Sequence, residues 1–107
     1  MWLFTEADGF ISAVVHRDDP SQIMVRARDA DHLRRYFPGH PIQTTPDADY
    51  RYRLTLPREE LAELVADRIR TMQATNFKAE TARHFDGVYL DALHEVWAVM
   101  WRYQNHG

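Results

Sequence analysis

The chain has 107 residues, 45% of them hydrophobic, 27% charged and 12% aromatic, with no cysteine and a formal charge of −3. That length suits one domain with its own core. The absence of cysteine excludes a disulfide framework, a thiolate metal site and a cysteine nucleophile. The near-balanced charge argues against the strongly basic kind of nucleic-acid or membrane-surface binder.

The N-terminus, Met1-Trp2-Leu3-Phe4-Thr5-Glu6, has no basic region and turns acidic at once, unlike a secretory leader. The longest apolar run, Val96 to Trp101, falls far short of the ~20 residues a membrane span needs. Cytoplasmic residence and no membrane partner are therefore expected. Lys78 is the only lysine, so nearly all cationic groups are arginines. A GC-rich coding sequence accounts for this bias; the functional alternative is bidentate recognition of anions.

In chain order, Trp2 to Thr5 is apolar, Ala7-Asp8-Gly9 supplies turn chemistry and Phe10 to Arg17 resumes a β-branched run, which predicts a hairpin. Asp18-Asp19-Pro20-Ser21 makes a second turn. From Ile23 to Arg28, Ile23, Val25 and Ala27 alternate with Met24, Arg26 and Arg28, as in a half-buried strand. Asp29 or Asp31 caps a short helix through Tyr36, stopped by Pro38-Gly39. His40 to Asp49 reads as a loop with at most a short edge strand. Tyr50 to Leu56 alternates again, with Tyr50, Tyr52 and Leu54 on one face and Arg51, Arg53 and Thr55 on the other.

Pro57 opens a long helix striped by Leu61, Leu64, Val65, Ile69 and Met72. Thr75 or Asn76 caps a short helix to His84, and Val88 to Gln104 forms the last, with Tyr89, Leu93, Val96, Trp97 and Met100 facing inward. The order predicts a single α+β domain: an antiparallel sheet of about four strands with helices packed on one face, a two-layer sandwich.

The usual marks of an enzyme are missing, since neither Ser12 nor Ser21 lies in a nucleophile elbow and the glycines are isolated. Asp29/His32 and Asp91/His94 have the spacing of a helical metal or acid–base pair. Random placement of 16 acids and 6 histidines gives about one such pair, so neither signals a metal. No cofactor motif appears, and a non-enzymatic role is expected.

Two surfaces stand out. Alternation puts Arg26 with Arg28, and Arg51 with Arg53, on one face of their strands. If those strands are neighbours, the guanidiniums share the face that helices leave open. With Arg34 and Arg35 flanking on the first helix, they would grip phosphates or an acidic protein surface. Trp2, Phe4 and Phe10 would add stacking surfaces there. The plain alternative is a solvated face with its arginines paired to Asp29, Asp31, Asp47 and Asp49. On the last helix, Trp97 and Trp101 are four apart and adjacent on one face, beside Met100. They are either an interface patch or the inner face of a central helix.

The segments Trp2-Leu3-Phe4-Thr5 with Gly9-Phe10, Val25-Arg26-Ala27-Arg28-Asp29, Thr45-Pro46-Asp47-Ala48-Asp49-Tyr50-Arg51-Tyr52-Arg53, Asn76-Phe77-Lys78 and Val96-Trp97-Ala98-Val99-Met100 resemble a group of small bacterial and phage proteins. That group carries no assigned activity. The resemblance implies one compact family and names no function. Small size, the missing catalytic motifs and the two candidate surfaces make a small cytosolic adaptor or inhibitor that binds another protein, a phage-derived one included, the first expectation. A nucleic-acid or phosphate-ligand binder using the arginine strip is the second expectation, and a homodimer is open.

Overall fold

In the computed structural model, which describes residues 1–106, the opening hairpin forms as its turn chemistry predicts. Strand β1 spans Trp2–Thr5 and β2 spans Gly9–Val15. Gly9 starts β2 at a φ of 99°, a conformation that a side chain strongly disfavours. A Cβ on Gly9 would also lie 2.5 Å from Cγ of His32, so the glycine admits a close approach as well as a turn.

Strand β3 (Gln22–Ala27) leads to helix α1 (Ala30–Tyr36). Asp29 is its cap, accepting from the Asp31 backbone N–H at 2.9 Å. Strand β4 is the two-residue Gln43–Thr44, and β5 (Tyr52–Pro57) runs directly into α2 (Arg58–Arg70). All neighbouring strands are antiparallel, in the order β1-β2-β3-β5-β4.

Alternation gives the sheet two unlike faces. Ile11, Ala13, Ile23, Val25, Ala27, Leu54 and Leu56 bury one face with Leu33, Tyr36 and Phe37 from the α1 region and Leu61 of α2. The fold is thus α+β, with α1 and α2 on this face. The stripe of α2 is covered only in part: Leu61 is buried, Leu64 and Val65 are half-buried, but Ile69 and Met72 remain exposed.

Behind the hairpin turn lies a polar network that holds it to both helices. Thr5 Oγ1 donates to the buried Asp8 carboxylate at 3.0 Å and lies 2.9 Å from Tyr36 Oη. Tyr36 Oη in turn donates to the Gly9 carbonyl at 2.7 Å. Arg68 Nε donates to Asp8 Oδ2 at 2.7 Å, and this bond holds the guanidinium still more firmly protonated.

The chain divides into two compact units, Met1–Gln73 as described above and a helical unit from Ala74 onward. In the second, Asn76 caps α3 (Phe77–Thr81) by accepting from the Ala79 N–H at 3.0 Å. Helix α4 spans Gly87–Gln104. Its expected inward stripe is not buried: no α4 residue is, and Val96, Trp97 and Met100 are among its exposed side chains. No helix among the described residues is long and apolar enough to cross a membrane.

Candidate anion-binding sheet face

The second face of the sheet carries the arginines of β3 and β5. Strand β3 lies beside β5, with Met24 opposite Thr55 and Arg26 opposite Arg53. Across β3 the register continues through Ser12 to Trp2, so Trp2, Ser12, Arg26 and Arg53 form one row on one face.

The hydrogen-bond pattern sharpens the Arg26–Arg53 contact. His16 N–H donates to Gln22 O and Arg58 N–H to Ser21 O. Counting from these, strict antiparallel alternation makes Arg26/Arg53 a non-hydrogen-bonded pair, the kind whose side chains stand closest. Two cations therefore face each other at the tightest cross-strand spacing, an arrangement that destabilises a sheet when nothing neutralises it.

Each guanidinium is steered by local contacts. Arg26 Nη2 donates to the buried Ser12 hydroxyl at 2.8 Å, and its Cζ lies 4.5 Å from the Tyr50 ring centroid. Arg53 Nη2 donates to the Tyr50 carbonyl at 3.0 Å, while Nη1 lies 3.7 Å from Met24 Sδ. The Nε atoms of both are buried and make no hydrogen bond. Among the described residues, no carboxylate lies within 4.0 Å of either guanidinium's nitrogens.

Arg28 differs. Its Nη1 lies 3.6 Å from Asp49 Oδ1 and donates to the Asp49 carbonyl at 3.0 Å, with its Cζ 4.3 Å from the Tyr50 centroid. Arg51 is exposed just before β5. The expected carboxylate pairing thus holds for Arg28 and Asp49 and is absent at Arg26 and Arg53.

Tyr50 departs from its expected place with Tyr52 and Leu54. It precedes β5, so strand alternation does not govern it, and its ring turns to Arg26, Arg28 and Phe10. The aromatics continue from there: Phe4 stacks on Phe10 at 4.4 Å, and Trp2 meets Phe10 edge-on at 5.5 Å. Trp2 is 67% exposed. At the other end of the strip, beside Arg53, a cavity of about 320 Å³ is lined by Val14, Val15, His16, Arg17 and Met24.

Arg34 and Arg35 do not flank this strip. Helix α1 must bury Leu33 and Tyr36 with Ile11 and Val25, which places it on the opposite face of the sheet. There Arg35 Nε donates to Asp31 at 2.8 Å and Nη1 to the Ala7 carbonyl at 3.1 Å, and Arg34 is exposed.

His32 also belongs to that side. It is buried, and its Nδ1 accepts from the Phe10 N–H at 3.1 Å, which sets the neutral tautomer with the proton on Nε2. Burial pushes its pKa below the usual imidazole value, with the Asp29 carboxylate pulling the other way. The Asp29/His32 spacing therefore reports a helix N-terminus and a core contact.

In the helical unit, Trp97 and Trp101 are about half exposed. The Lys78 ammonium lies 4.2 Å from the Trp97 centroid and His94 stacks on the same ring at 5.8 Å. The three line a groove of about 610 Å³ with Phe77, Leu90 and Leu93.

A scan of protein-family models and searches of curated proteins and of solved structures find no match to this chain.

Proposed function

We propose that the protein is a small non-enzymatic interaction protein that binds an acidic segment of another protein on its open sheet face. The observation that carries this reading is the Arg26/Arg53 pair: two half-buried guanidiniums, directly opposite, with no carboxylate in reach among the described residues. A carboxylate from outside relieves their mutual repulsion and accepts the N–H groups that remain. The fixed contacts to Ser12 and the Tyr50 carbonyl hold both forks in place beforehand, which lowers the ordering cost of binding. Trp2, Phe4 and Phe10 offer apolar and aromatic contact beside the charges, the mixture that binding hot spots favour.

The second reading is single-stranded nucleic acid, favoured by the exposed Trp2 on the same face as the arginines. The protein reading is preferred because Phe4 and Phe10 already stack on each other, which leaves Trp2 as the one strongly exposed ring of that aromatic cluster for a base to stack on.

The test titrates the protein with an Asp/Glu-rich peptide and with a single-stranded oligonucleotide, following tryptophan fluorescence and thermal stability at two salt concentrations. The proposal expects saturable peptide binding that an Arg26→Ala, Arg53→Ala chain loses. Steeply salt-dependent oligonucleotide binding, lost in the same variant, would move the assignment to nucleic acid. Peptide binding unchanged in that variant would remove the strip from consideration.

A further inference from the structure

The free edge of β1 carries an inference independent of the arginine strip. Met1 and Ala13 exchange both backbone hydrogen bonds, each at 2.8 Å, and so form a hydrogen-bonded antiparallel pair. The pairing is regular from there to Thr5 opposite Gly9, with no bulge. By alternation, Leu3 and Thr5 direct their N–H and C=O groups at β2. Trp2 and Phe4 direct theirs outward, away from the sheet, and no backbone partner meets them among the described residues.

Sheet edges of this kind are ordinarily blunted by lysine, proline, a bulge or extreme shortness, because unpaired outward groups recruit another strand. The far edge is blunted: β4 has two residues and lies between Pro41 and Pro46. The near edge, Trp2-Leu3-Phe4-Thr5, has none of these guards.

We infer that β1 pairs with β1 of a second copy of this chain, antiparallel, about a two-fold axis at Leu3. The edge is self-complementary in that register. Centring the axis on Leu3 sets Trp2 opposite Phe4 of the second copy, and Phe4 opposite its Trp2. These are the residues with outward-facing backbone, so each Trp2 exchanges both its hydrogen bonds with the opposing Phe4. Shifting the register by one residue would set inward-facing groups against outward ones and lose the ladder.

The side chains agree with the backbone. Trp2 and Phe4 lie on the same face, so the pairing makes two aromatic cross-strand contacts and covers the most exposed tryptophan in the chain. A two-fold axis perpendicular to the sheet keeps the faces in common. The two arginine strips then lie on one continuous surface, and the two cores share the other.

Sedimentation equilibrium over a micromolar to millimolar range tests this, together with amide hydrogen exchange. The wild-type chain is expected to approach the mass of two chains, with protection at the Trp2 and Phe4 amides rising as the dimer forms. Phe4→Pro removes an outward N–H that β2 does not use, and it is expected to abolish the dimer while circular dichroism is unchanged. Trp2→Lys guards the edge with a charge at an exposed site and is expected to do the same, so a loss of folding in the proline variant leaves the test intact. A wild-type chain monomeric throughout overturns the inference. So does a dimer that folded Trp2→Lys retains, or one in which the Trp2 and Phe4 amides gain no protection.

Discussion

Replacing Arg53 by methionine tests whether this residue serves binding or the fold. In the free protein Arg53 faces Arg26 as a like charge, an opposition that costs ~0.2–1 kcal/mol. Its buried, unbonded Nε adds a desolvation cost of ~1–3 kcal/mol. Against these stands the hydrogen bond from Nη2 to the Tyr50 carbonyl, with ~1.5–3 kcal/mol for a charged donor. Methionine keeps most of the aliphatic volume on Met24. The opposing terms nearly cancel, so Arg53→Met is expected to change stability by no more than about 1 kcal/mol. Arg26→Met should cost more, because it strips the buried Ser12 hydroxyl of its donor and removes a guanidinium from Tyr50. The assay is urea unfolding of all three chains, alone and with the Asp/Glu-rich peptide. Ligand at a hundred times its Kd raises wild-type stability by about 2.7 kcal/mol, and the Arg53→Met chain should show almost none of that rise. A loss of more than about 3 kcal/mol in the free variant would mean that Arg53 holds the fold. A full peptide-induced rise in the variant would refute its role in binding.

Three further outcomes follow from the hairpin and its backing. Gly9→Ala combines a positive φ with a Cβ 2.5 Å from the His32 ring, and strain of ~1–3 kcal/mol plus overpacking of similar size predicts a loss of ~2–5 kcal/mol. In a His32→Ala background only the strain should remain, which a double-mutant cycle in urea measures. The lowered pKa of His32 means that the unfolded chain binds the extra proton first. Stability therefore falls as pH drops below the unfolded value of about 6.5 and levels off once the folded-state value is passed. His32→Gln, neutral at every pH, should show a smaller fall between about pH 8 and about pH 5; an unchanged profile would clear His32. Asp8→Ala leaves Arg68 without its closest acceptor and Thr5 without its carboxylate, for a loss of ~1.5–3 kcal/mol in the same assay. A neutral result there would mean that the network does not hold the hairpin.

Much of the sheet was legible because its strands alternate cleanly. Ile23, Val25 and Ala27 against Met24 and Arg26 stated which side was core before any partner was known. The turn at Asp18 to Ser21 and the Asp29 cap were equally local, and the structure keeps both. The neighbour of β3 was not legible, since β5 returns to it only after α1 and a long loop have intervened. The Thr5–Asp8–Tyr36–Arg68 network was missed for the same reason: its members are unremarkable in sequence, and Arg68 is 60 positions from Asp8. Tyr50 escapes the alternation because β5 begins two residues after it, at Tyr52. Nearness in sequence puts Arg34 and Arg35 beside the strip, but burying Leu33 and Tyr36 commits α1 to the other face. The stripe of α4 shows the remaining limit of periodicity. It tells which side of a helix is apolar but not whether anything covers that side.

The candidate surface and the β1 edge depend on the same register, and that register is fixed from behind. Sliding β1 by one residue along β2 would turn Trp2 and Phe4 to the core face and Leu3 to the open one. Tyr36 opposes this slide through Thr5 of β1, whose Oγ1 lies 2.9 Å from Tyr36 Oη, while β2 is fixed by Tyr36 donating to the Gly9 carbonyl and by His32 accepting from the next amide, at Phe10. Phe10 is thus gripped through its backbone on one face while its ring supports Trp2, Phe4 and Tyr50 on the other. Tyr50 in turn lies against Arg26 and Arg28 and presents its carbonyl to Arg53. The arginine strip is therefore held open by a continuous set of packed and hydrogen-bonded groups that begins at α1. Side chains locked in this way do not need to be ordered again on binding, which is the condition under which opposed guanidiniums become a site for an anion.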